Sequence, residues 1–150
     1  MLLDRYVYEV RVPFQQYDFY SEGPKGKIRK AILYTFLETR NGNDYYNLGF
    51  GDYNEDKRAI NDLSVSNNRD RDKILATVAM TTLEFTSHYP DCKIVATGST
   101  PTRTRLYQMG IAKHYKEISE MFDIQGLTEK SGWQPFTSGE NYLALLVSRK

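Results

Sequence analysis

The sequence predicts a single-domain α+β protein, with a mixed, mainly antiparallel sheet of six or so strands and two main helices. Three observations predict it. The first half alternates with period two and is rich in tyrosine, as half-buried strands are. After Asp70 the apolar residues recur at helical spacing. A strand between the two helices and two more after them return the chain to one sheet.

Residues 5–12 set Tyr6, Tyr8, Val10 and Val12 at alternate positions, and Pro13 interrupts the strand. Residues 17–21 form a short aromatic strand, and residues 22–26 (EGPKG) a turn. Residues 28–38 are apolar on both faces, which predicts a central strand. Asn41-Gly42 is the sharpest local signal, because both residues tolerate the positive φ of a type I′ hairpin. Residues 44–51 return from it, with Gly49 and Gly51 flanking Phe50 as sites for a bulge or a close approach. Residues 53–66 read as loop, with a short pairing around Ala59 and Ile60.

In the second half, Ile74, Leu75, Val78, Ala79, Thr82 and Phe85 mark one helical face, with Asn68 or Asp70 as its cap. Residues 92–97 read as a buried strand. Thr100 caps a second helix with Pro101 at its first position, and Leu106, Ile111, Tyr115 and Ile118 share its inner side. Residues 121–127 and 142–148 are closing strands, and a long loop between them holds Trp133, Pro135 and Phe136.

The net charge of +1 argues against nucleic acid as a partner, since such proteins carry a basic excess. One cysteine, Cys92, excludes an intrachain disulfide. No apolar run approaches the ~20 residues of a membrane span, and the start lacks the regions of a signal peptide. A cytoplasmic location and no membrane partner are the expectations.

Tyr17–Gly26 (YDFYSEGPKG), YNLGFGD with SNN, and ILATVA with GSTPTRTRLYQMGI together resemble an uncharacterised family of small bacterial proteins, mostly from Bacteroidetes. That family has no assigned activity, so the resemblance implies no catalytic residues. The order of elements after Phe50 is also similar to the GNAT acetyltransferases. There RLYQMGI looks like their helix signature and implies Tyr107 as general acid. Those enzymes seat a diphosphate on glycines at the preceding helix, where this chain has NRDRDK. Acetyl-CoA is therefore expected to bind weakly or not at all, and no cofactor is assigned.

The best candidate site is an anion-binding helix start: Gly98, Ser99, Thr100, Arg103 and Arg105. A first helical turn gathers unpaired N–H donors and positive potential, and the arginines add charge. The alternative is a plain capped helix whose arginines pair with Asp91 or Asp123. The basic residues 22–30 form a second candidate polyanion tip, more naturally a solvated edge. Asn67 to Asp72 lacks the spacing of a calcium loop, and His88 and His114 lie at no metal-ligand spacing. Trp133, Pro135 and Phe136 either line a partner surface or fold onto the core. Two function classes stay open. One is a non-catalytic module for a small anionic ligand or a protein partner. The other is an acyltransferase acting through Tyr107. An unpaired sheet edge would also support a homodimer.

Overall fold

The computed structural model describes residues 4–12, 15–61, 68–98 and 100–150. Its strands are β1 (Glu9–Val12), β2 (Gln16–Gly23), β3 (Gly26–Arg40), β4 (Asn43–Asn54), β5 (Ala59–Asn61), β6 (Lys93–Ala96), β7 (Phe122–Thr128), β8 (Gly132–Pro135) and β9 (Ala144–Arg149). Its helices are α1 (Arg71–His88), α2 (Pro101–Lys113) and α3 (Tyr115–Met121). All strands join one mainly antiparallel sheet, in the order β1-β2-β3-β4-β6-β9-β7-β8, with β5 paired to β4. The fold is α+β, as the change of period along the chain predicts.

The β3–β4 hairpin is the spine. Asn41 and Gly42 turn it with φ of 53° and 81°, both positive as the dipeptide predicts. α1 then crosses from β4 to β6, which forces β4 and β6 to run parallel over Tyr45–Leu48 and Lys93–Ala96. β9 inserts antiparallel between β6 and β7.

The register puts the apolar side chains on one face. Tyr17, Ile32 and Phe50 lie opposite one another there, as do Tyr46 and Ile94, and Ile124 and Val147. Phe85 of α1 packs into the core formed by Tyr17, Phe19, Ile32, Tyr34 and Ile94. Ile111 of α2 and Ile118 of α3 pack with Phe122, Ile124 and Leu145. All three helices therefore cover the same face. α1 buries threonines along with its apolar stripe: Thr77, Thr81, Thr82 and Thr86 each bond a carbonyl three or four residues back. That bond satisfies the hydroxyl, so the methyl can pack.

Several expectations change. The first strand is shorter than residues 5–12; instead Tyr6 leaves the sheet and donates its N–H to Thr77 Oγ1. Gly49 and Gly51 pair in regular register with Leu33 and Ala31, and the bulge falls in β3 between Phe36 and Glu38. The second helix breaks at His114, so Tyr115 starts α3 and is partly exposed. Trp133 and Pro135 belong to β8, paired with β7, rather than to a loop. Phe136 is buried, stacked on Tyr115 and tilted against Tyr142, whereas Trp133 is exposed. The sheet has nine strands and the helices number three among the described residues, against six or so and two.

Candidate functional site

α2 begins where β4 and β6 part. The two strands are paired up to Leu48 and Ala96, and from Asp52 onward β4 is paired with β5 instead. The chain leaves β6 through Gly98, whose N–H donates to Thr104 Oγ1 at 2.9 Å. A Cβ on Gly98 would stand 2.5 Å from Thr104 N and 2.6 Å from Arg103 Cβ. Only glycine lets the strand exit press this closely on the first helical turn.

Thr100 is extended, with φ −136° and ψ 158°, and its hydroxyl accepts the Arg103 N–H at 3.2 Å. The Thr104 N–H reaches Thr100 O at 3.1 Å. Pro101 has no N–H to place. The cap expected from the sequence is present in full, and it uses donors that an anion would otherwise take. Thr102 is left as the first-turn N–H not engaged among the described residues. Arg105 Nη1 donates to Asn141 Oδ1 at 3.1 Å, a neutral partner rather than Asp91 or Asp123. Arg103 is half-buried on the same turn, and no acidic residue lies in that turn. Arg103 and Arg105 point about 200° apart around the helix. Ser99 lies outside the described residues. Tyr107 is half-buried and packs against the core cluster of Ile111, Ile118 and Phe122.

The start of α1 is built differently. Asp70 stands at its N-cap, yet its carboxylate does not cap the helix. It accepts from Tyr6 Oη at 2.6 Å and from Ser21 Oγ. Burial and the Asp70 carboxylate both hold the Tyr6 phenol above its ordinary pKa, so it stays a donor. Asn68 is buried, with Oδ1 accepting the Lys25 N–H and Nδ2 donating to Gly26 O and Ser21 Oγ. Gly23 passes so close to Asn68 that any Cβ there would overlap its carbonyl oxygen. Asp72 in the first turn meets Lys113 Nζ at 2.8 Å and His114 Nε2 at 3.3 Å. Lys113 first, then His114, holds its carboxyl below the usual range. The chain's own carboxylates fill this helix start.

The basic tip of residues 22–30 is largely neutralised. Arg29 bonds Asp18 at 2.6 Å and Glu55 at 2.9 Å, and lies 4.1 Å over the Tyr53 ring. Lys30, 5% exposed, pairs with Asp52, and Lys27 pairs with Glu22. Burial pushes the Cys92 thiol up to about 11, so it stays protonated and unreactive at neutral pH. No group of three His, Cys, Asp or Glu side chains could hold a metal ion among the described residues. Among those residues, no helix is long and apolar enough to cross a membrane.

Tyr6, Ser21, Gly23 and Asn141 were not singled out by their sequence positions. Their partners lie tens of residues away, and no local pattern marks such a bond. Comparison with curated proteins and with solved structures returns no match. A family model described as a family of unknown function (DUF6934) matches residues 2–150, nearly the whole chain, and the chain belongs to that family.

Proposed function

We propose that this protein is a non-catalytic binding module for a small anionic ligand, such as a phosphate or carboxylate, at the first turn of α2. The observation that carries the reading is electrostatic. This turn holds Arg103 and no acidic residue, and Arg105 follows it with a neutral amide as its partner among the described residues. Positive charge here has the same sign as the N-terminal end of the helix dipole, so an anion is drawn by both. Thr102 N–H and the Arg103 guanidinium are the donors assigned to the ligand, with Gly98 and Thr100 shaping the turn.

The acyltransferase alternative requires a diphosphate seat at the start of α1. Asp70 and Asp72 oppose it there by charge. A thermal-shift panel of inorganic phosphate, acetate, sugar phosphates, nucleotides, CoA and acetyl-CoA tests both readings. A bound anion at a hundred times its Kd stabilises by ~2.7 kcal/mol. The expected result is stabilisation by phosphate-bearing ligands that is lost in Arg103→Ala, with acetyl-CoA no better than simple phosphates. Strong selective stabilisation by acetyl-CoA that Arg103→Ala leaves intact favours the acyltransferase instead. No stabilisation by any anion removes the proposal.

A further inference from the structure

We propose that the chain self-associates through the outer edge of β1, as a two-fold antiparallel strand pair centred on Val10. β1 stands at one end of the strand order and, among the described residues, is hydrogen-bonded to β2 alone. Its other edge presents backbone N–H and C=O groups that a further strand would satisfy. All four of its residues are exposed, and Val10 and Val12 are 49% and 40% exposed. The opposite end of the sheet, β8, closes on Pro135, which has no N–H to offer.

The sequence of this edge is complementary to itself. An antiparallel pairing that sets Val10 against the other copy's Val10 sets each Glu9 against the other copy's Arg11. Neither Glu9 nor Arg11 makes an ion pair among the described residues. Glu9 lies opposite Asp18, whose charge is already answered by Arg29. An incoming Arg11 therefore meets an unanswered carboxylate. The two-fold repeats the favourable pair, as an isologous interface must. A net charge of +1 leaves little repulsion between copies. Arg11 is the extra residue where the β1–β2 register shifts, so the pairing ends at Arg11 and association is weak and concentration-dependent.

Sedimentation of the full chain over a concentration series at low salt tests this, with circular dichroism as the check on folding. Glu9→Arg and Arg11→Glu, each at an exposed site, place like charges opposite one another twice per dimer. Each is expected to weaken dimerisation about tenfold, and the double exchange Glu9→Arg/Arg11→Glu to restore it. A monomer at every soluble concentration overturns the proposal. So does a dimer indifferent to the single exchanges, or one that the double exchange fails to restore.

Discussion

The starts of α1 and α2 are two versions of one local problem, the unpaired N–H groups of a first turn. At α1 two carboxylates crowd the start without capping it: Asp70 receives Tyr6 and Ser21, and Asp72 receives Lys113. α2 answers with a neutral hydroxyl at Thr100 and keeps Arg103, followed by Arg105. The first start is structural glue between the helix, the N-terminal segment and the β2–β3 turn. The second carries no acid within its own first turn. On the function proposed above, charge in the first turn, more than the shape of either cap, distinguishes the two helix starts.

The largest effect expected from breaking this contrast is at α1. Asp70→Ala strips the acceptor shared by the Tyr6 and Ser21 hydroxyls, at a cost of ~3 kcal/mol in urea denaturation. A variant as stable as wild type would mean that α1 is not sealed by this carboxylate. At α2, Gly98→Ala forces a Cβ against the first turn and costs about 2 kcal/mol by the same measurement. Thr100→Ala removes only a cap, at about 1 kcal/mol.

How much of this was legible in the sequence depends on the range of the interaction. The Asn41-Gly42 turn and the Thr100–Pro101 helix start are set by residues one to three apart, and both are found as predicted. The hidden part is long-range. The Asp70 carboxylate lies within capping range of its own helix, yet Tyr6 and Ser21, 64 and 49 residues away, take it. The buried threonines of α1 look polar in sequence, because their satisfaction by carbonyls within the helix is invisible to an apolar count. Trp133 and Phe136 sit three residues apart in what looks like one loop. A strand pairing separates them, leaving one exposed and one buried.

A smaller effect sharpens the comparison through pH. Lys113 and His114 depress the Asp72 pKa in the folded state. The resulting stabilisation is present above the ordinary aspartate pKa and is lost as pH falls through it, below about pH 4. Asp72 is too exposed for the effect to be large. Asp72→Asn is expected to flatten the fall in urea midpoint between neutral and acidic pH, and an unchanged slope would place that acid sensitivity elsewhere. Arg103→Ala is expected to leave stability within about 0.5 kcal/mol of wild type while weakening phosphate binding tenfold or more.

The most direct measurement is a phosphate titration followed by backbone amide NMR. If α2 is the anion site, shifts grow first at Thr102 to Arg105, fade in Arg103→Ala, and leave Asn68 to Lys73 unmoved. Shifts that cluster at Lys25 to Lys30 or at the start of α1, with Thr102 to Arg105 silent, contradict it.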